Sequence, residues 1–223
     1  MRGPSGSPRR VHAAFPLAAV LGAILVAALS TPLRAGAEPA SVTAGLYVNM
    51  VPDLTYLTPL ASITRGRLYA EGRYQYEDLE TGSVWFGRTF EGEVGGEGGD
   101  EFTWWVAPLA GGVFGRTRGF APGLNADLGW REFSFSTSAE YLFNIEDGDE
   151  SFFYSWSEWL YTPRPPFAAG LTVERSRLRA LAGDVNVALT LYAGYRNATV
   201  SFYAFNVWDS DDDFYVVGLG ADF

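Results

Sequence analysis

The chain has 223 residues, of which 48% are hydrophobic and 16% aromatic, and its formal net charge is −10. It has no cysteine, which excludes a disulfide scaffold, a cysteine-ligated zinc site and a thiol nucleophile. The acidity argues against nucleic acid as a partner, because phosphate binding needs clustered lysine and arginine. Nothing in the composition implies a cofactor.

The first 37 residues have the three parts of a secretory signal peptide. Arg2, Arg9 and Arg10 form a basic region, residues 13–29 are almost wholly apolar, and residues 35–37 fit the small-residue cleavage rule. Arg34 is unusual beside a cleavage site, so an uncleaved anchor is the alternative. Cleavage leaves residues 38–223 as one domain with 12 arginines, 26 acids and a net charge of −14. The one histidine, His12, lies in the signal peptide.

From residue 41 to the end, hydrophobicity alternates with a period of two, which predicts strands and no helix. In residues 184–196, Leu189 and Leu191 share one face and Thr190 lies on the other. Predicted strands of nine to thirteen residues match the roughly 9–11 that cross a bilayer at a tilt, whereas strands of soluble proteins average about 5–6. Aromatic residues gather near the strand ends, as in interfacial girdles. The pattern therefore predicts an all-β, transmembrane, antiparallel up-and-down barrel.

The number of strands follows from the connections, because a barrel with both termini in the periplasm has an even number. Residues 55–64 must then form the second strand in spite of Pro59, which gives twelve strands, with ten as the alternative. The predicted connections outside the cell are 51–54, 78–82, 116–123, 146–151, 175–183 and 208–213, and those inside are 65–66, 95–100, 130–132, 162–166 and 196–197.

The last strand carries the most specific signal. Tyr215, Leu219 and the terminal Phe223 share one face, and Gly218 stands five positions before the end. This arrangement resembles the C-terminal assembly signature of bacterial outer-membrane β-barrel proteins. The resemblance implies that the outer-membrane assembly machinery recognises this strand, which then pairs with the first strand to close the barrel. It also implies export to the bacterial outer membrane, with membrane lipids and lipopolysaccharide as further partners.

Charged residues in the predicted strands should face the lumen, because a charge facing lipid at mid-membrane costs roughly 2–4 kcal/mol for arginine and less for an acid. Two interpretations of these residues stay open: ion-paired struts that fill a closed interior, or the wall of a cation-preferring pore. The predicted lumen residues are Glu71, Arg73, Asp127, Arg131, Glu140, Glu158 and Glu174.

The first functional hypothesis is a narrow passive channel for small solutes with a weak preference for cations. The alternative is a closed barrel with a structural or binding role through its wall or outside loops. An outer-membrane hydrolase is a distant third, because the mature chain has no histidine to activate a serine and no acid pair stands out. The acidic loops 146–150 and 209–213 fit no complete calcium motif, so we predict no metal site.

Overall fold

The computed structural model describes residues 39–95, 101–178, 183–209 and 212–223, and the predicted signal peptide lies outside them. No helix among these residues is long and apolar enough to cross a membrane. The described chain is built from strands, with one short 3-10 turn at Gly148–Glu150. The strand segments are β1 (Ala40–Val51), β2 (Leu54–Arg65), β3 (Leu68–Tyr74), β4 (Thr81–Arg88), β5 (Phe90–Val94), β6 (Phe102–Gly115), β7 (Gly119–Trp130), β8 (Phe133–Asn144), β9 (Phe152–Arg164), β10 (Phe167–Leu178), β11 (Asp184–Tyr195), β12 (Ala198–Phe205) and β13 (Phe214–Asp222).

These segments form one closed antiparallel barrel. Apart from the break between β4 and β5, each strand pairs with its neighbours in sequence, and β13 returns to pair with β1 and closes the barrel. Segments β4 and β5 both pair with β6 in one continuous register, and they form a single wall strand interrupted at Thr89. The predicted count of twelve strands is confirmed, including the strand that contains Pro59.

The connections distinguish the two ends of the barrel. We call the end that holds Ala40 and Phe223 the turn end, where β2 and β3, β7 and β8, β9 and β10, and β11 and β12 are joined by two-residue turns. Residues with positive φ close three of these turns: Gly66 (57°), Arg131 (54°) and Arg196 (56°). The opposite, loop end carries the longer connections 75–80, 145–151 and 206–213, together with the short connections 52–53 and 116–118. Outer-membrane barrels place short turns in the periplasm and longer loops outside the cell, which orients the chain.

The inner and outer faces of the barrel have the opposite polarity to those of a soluble barrel. In β11, Leu189 and Leu191 point outward and are 51% and 57% exposed, whereas Thr190 points inward and is 1% exposed. Fully buried polar side chains line the interior, while large apolar side chains cover the outer surface. An apolar exterior around a polar interior is stable in lipid, because the bilayer solvates the outward side chains. The predicted transmembrane barrel is confirmed.

Candidate functional site

The interior of the barrel is filled unevenly. Trp85, Leu142 and Phe205 are fully buried inside it, and aromatic rings of β9, β12 and β13 pack around the last of these. Two glycines make room for the Trp85 ring, because a Cβ on Gly111 or Gly123 would lie within 3.0 Å of it. This packing closes much of the interior on the side of β4 to β9 and beside β12 and β13.

A buried guanidinium organises one polar cluster. Arg73 on β3 donates from Nε to Glu71 Oε1 and from Nη1 to Glu140 Oε2, both at 2.7 Å. Its Cζ lies 4.5 Å from the ring centroid of Tyr76 and 4.8 Å from that of Trp85. Glu140 is on β8, which is not a neighbour of β3 in the sheet, so this contact crosses the interior. We call Glu71, Arg73, Tyr76, Trp85 and Glu140 the Arg73 cluster.

A loop residue completes the Arg73 cluster. Glu77, in the connection after β3, folds inward so that its Oε1 lies 3.9 Å from Arg73 Nη1, and it accepts a hydrogen bond from Ser83. Three carboxylates therefore surround one guanidinium. Glu77 Oε2 and Glu140 Oε1 are among the buried oxygens that lack a hydrogen-bond partner in the described part of the chain. The cluster thus carries more acceptor capacity and more negative charge than Arg73 alone can satisfy.

A second cluster surrounds Glu158 on β9. Its Oε1 accepts from Trp156 Nε1 at 2.7 Å and lies 2.9 Å from the Tyr203 hydroxyl, and its Oε2 lies 2.8 Å from the Tyr192 hydroxyl. The two hydroxyls lie 2.6 Å from each other, so their two protons serve three contacts. All three donors are neutral. We call this group, together with Tyr47, the Glu158 cluster. The ring centroid of Trp156 lies 6.4 Å from that of Tyr47 and 5.1 Å from that of Tyr203.

Two further acids face the interior. Glu174 on β10 accepts from the Tyr154 hydroxyl at 3.2 Å and from Asn186 Nδ2 at 3.1 Å. Asp127 on β7 is exposed on the inner wall. It pairs with Ser136, which pairs in turn with Glu158, so Asp127 and Glu158 stand two strand spacings apart, about 10 Å.

A cavity of about 430 Å³ lies between the inner faces of β1 to β3 and those of β6 to β10. Its lining includes Asn49 and Gln75, close to the loop end, and Thr43 and Thr64, close to the turn end. The carboxylates in its wall are Glu71, Asp127, Glu158 and Glu174, and Arg73 is the guanidinium in the same wall. The cavity therefore extends along the barrel and is bordered by an excess of negative charge.

The inner wall holds six of the seven predicted lumen residues, and Arg131 is the exception. The prediction placed Arg131 in the lumen because it continues the alternation of β7, but that strand ends at Trp130. Arg131 instead lies exposed in the two-residue turn with a φ of 54°, and its guanidinium Cζ is 5.0 Å from the centroid of the Trp130 ring. Among the described residues, Arg73 is the arginine that forms ion pairs inside the barrel.

The predicted assembly residues lie on the closing strand. Tyr215, Leu219 and Phe223 are outward and exposed, and the backbone of Phe223 exchanges two hydrogen bonds with Val42, at 2.8 and 3.1 Å. Gly218 faces inward, where a Cβ would overlap the Ser201 hydroxyl oxygen and lie 2.9 Å from the Tyr47 ring. Gly218 therefore has a packing role in addition to any role in recognition.

Two features of the site were not predicted from the sequence. Glu77 and Tyr76 follow the end of β3 at Tyr74, whereas the prediction continued the strand to residue 77, so the loop that brings both side chains inward was not foreseen. The division of the lumen acids into two clusters also depends on which side chains meet across the barrel. No group of three or more metal-binding side chains occurs in residues 39–95, 101–178, 183–209 and 212–223.

Comparison with solved structures supports the fold. No protein-family model matches the chain, and neither does any curated protein sequence. Two solved structures that match are those of the KdgM porin, alone and in complex with disordered oligogalacturonate. Each has a TM-score of 0.53 and 12% sequence identity, and each match covers 82% of this chain and 99% of the porin. The chain thus has the closed, twelve-stranded antiparallel fold of outer-membrane β-barrel proteins.

Proposed function

We propose that the chain forms a narrow passive channel for small solutes in the bacterial outer membrane, with a preference for cations. The observation that carries this proposal is the cavity whose lining extends from Asn49 near the loop end to Thr64 near the turn end. A passage that follows the wall in this way allows diffusion through a barrel whose remaining interior is packed. The porin fold supports the same function.

The preference for cations follows from the charges in the cavity wall. Four carboxylates stand against Arg73, and that guanidinium is already bound to Glu71 and Glu140. Asp127, Glu158 and Glu174 thus contribute negative charge that no lumen ion pair among the described residues offsets. Negative charge in a cleft with low-dielectric walls concentrates cations and repels anions.

The closed barrel is the second candidate, and the buried side chains Trp85, Leu142 and Phe205 favour it. In that case the acids stabilise a filled interior, and the outside loops or the wall carry the function. The two candidates differ in whether ions cross the folded protein.

The test is the conductance of the refolded chain in a planar bilayer under a gradient of potassium chloride. We expect discrete openings whose reversal potential has the sign of cation selectivity and decreases as ionic strength rises, because salt screens the wall charges. Asp127→Asn should lower the selectivity. Glu132→Gln, which removes an exposed acid of the adjacent turn, is the matched control and should leave it unchanged. A silent bilayer from folded protein would contradict the channel and leave the closed barrel.

A further inference from the structure

The Glu158 cluster presents an anion whose charge is bound only by neutral groups. Trp156, Tyr192 and Tyr203 lie within hydrogen-bond distance of it, and none of them carries a positive charge. Among the described residues, the lumen ion pairs centre on Arg73 and do not include Glu158. Hydrogen bonds from neutral donors hold a carboxylate in place but do not neutralise it. Its negative charge therefore remains available to a cation in the cavity.

Aromatic rings stand beside this carboxylate on the cavity wall. Tyr47 and Trp156 both line the cavity, with ring centroids 6.4 Å apart. Trp156 also fixes Glu158 through its indole N–H, so that ring and carboxylate keep one relative position. The face of an aromatic ring attracts a cation within about 6 Å of its centroid. Ring faces next to a carboxylate form a site that favours a cation over a neutral molecule.

Further hydrogen-bond acceptors lie on the inner wall, two strands away from Glu158. Asp127 is about 10 Å from Glu158, at two strand spacings. Asn125, next to Asp127 on the inner face of β7, also lines the cavity, and its buried Oδ1 has no hydrogen-bond partner among the described residues. A ligand that spans about 10 Å, with a cationic head and an N–H or O–H group at its far end, can contact both Glu158 and Asp127.

We infer that the part of the cavity between Tyr47, Trp156 and Glu158 binds organic ammonium ions, whose positive charge is carried on a hydrocarbon body. The inference rests on the proposed channel and names the class of solute that it takes. An inorganic cation must give up a tightly held hydration shell to touch an aromatic ring, which is costly. An organic ammonium ion is weakly hydrated, and its methyl or methylene groups gain from contact with the rings, as in the aromatic cages that bind quaternary ammonium groups.

The test is calorimetric titration of the refolded protein in detergent micelles with choline. The matched probe is 3,3-dimethyl-1-butanol, which has the same shape but carbon in place of the charged nitrogen. We expect choline to bind at least tenfold more tightly than the neutral probe and to change the tryptophan fluorescence of the protein. Glu158→Gln should lower the affinity for choline by about tenfold, and Asp53→Asn in the loop-end turn should leave it unchanged. Equal binding of the two probes would overturn the inference.

A second variant keeps the test decisive if Glu158→Gln does not fold. Tyr47→Leu removes a ring from the cavity wall and leaves the three donors to Glu158 in place. It should also weaken choline binding severalfold, and unchanged binding in this variant would count against the inference. The bilayer result is independent: a cation-selective channel that does not bind choline refutes the site alone. Choline binding in a folded protein that conducts no ions refutes the channel alone.

Discussion

The Arg73 and Glu158 clusters contain the same kind of acid in the same barrel, yet they use it differently. In the Arg73 cluster a guanidinium lies between carboxylates from β3, β8 and the loop after β3. In the Glu158 cluster the carboxylate receives only hydroxyl and indole donors. Both clusters join non-adjacent strands, since Glu140 on β8 meets Arg73 on β3 and Glu158 on β9 meets Tyr203 on β12. They differ in that a guanidinium offsets the acids of the first, whereas neutral groups beside the cavity surround the acid of the second. A lumen acid thus acts as a strut or as a wall charge according to the partner that it faces.

The largest effect should come from removing the guanidinium. Arg73→Met leaves Glu71 and Glu140 buried without their counter-charge, so the free energy of unfolding should fall by roughly 3–5 kcal/mol. Urea unfolding of the protein in lipid vesicles measures this loss. Arg67→Met, in the exposed turn after β2, is the control and should stay within about 0.5 kcal/mol of the natural protein.

If the two clusters differ in this way, Glu158→Gln should lower the free energy of unfolding by less than Arg73→Met does. The amide of Gln keeps one acceptor oxygen, but its nitrogen cannot accept the hydrogen bonds that the second carboxylate oxygen accepted. We expect the free energy of unfolding to fall by about 1–3 kcal/mol. A cost equal to that of Arg73→Met would mean that an unseen cation pairs with Glu158, and the distinction between the clusters would fail.

An effect of similar size should come from the glycine beneath Trp85. In Gly111→Ala the new Cβ would overlap the Trp85 ring, which packs against Arg73, and such overpacking costs about 1–3 kcal/mol. Gly112 is the matched control, because a Cβ at this neighbouring position meets no atom within 4 Å. The same unfolding assay should separate the two alanine variants, and equal stabilities would show that the Trp85 ring is not held in this position.

The smallest effect should come from the glycine beneath Tyr47. In Gly218→Ala the new Cβ would overlap the Ser201 hydroxyl oxygen and lie 2.9 Å from the Tyr47 ring. The hydroxyl can rotate and the ring can shift toward the cavity, so we expect a loss of about 1 kcal/mol, at the low end of overpacking costs. Gly194→Ala is the control, because its nearest atoms are 3.9 Å away.

The Gly218 variant also distinguishes packing from recognition by the assembly machinery. If packing alone explains the glycine, the membrane-inserted fraction in cells should fall only as far as the loss of stability requires. A large loss of insertion with unchanged stability after refolding in vitro would show recognition instead.

The faces and number of the strands were predictable because they depend on local chemistry. Alternation placed Leu189 outward and Thr190 inward, as observed, since neighbouring side chains in a strand point to opposite faces. The even strand count required a strand through Pro59, and the structure contains it. Neither prediction needed to know which strands face each other across the interior.

The clusters were not predictable because alternation gives the face of a residue but not its height in the barrel. Arg73 and Glu140 are 67 positions apart in sequence, and they meet only because of the tilt and stagger of the strands between them. The prediction for Arg131 was wrong for a simpler reason. The alternation in the sequence continues beyond Trp130, but the strand ends there and the backbone of Arg131 has a positive φ.

The seam between β1 and β13 has a consequence for the order of folding. If β4 and β5 are counted as one strand, all pairings except that of β1 with β13 join strands that follow one another in the chain. At the seam, by contrast, the side chains of Thr43 and Asp222 meet across 179 positions. Contacts of such separation form late, because the chain between them must first lose its conformational freedom. We therefore expect a curled, open sheet as the last intermediate, with β1 and β13 as its two unpaired edges and the Phe223 strand still accessible to a chaperone.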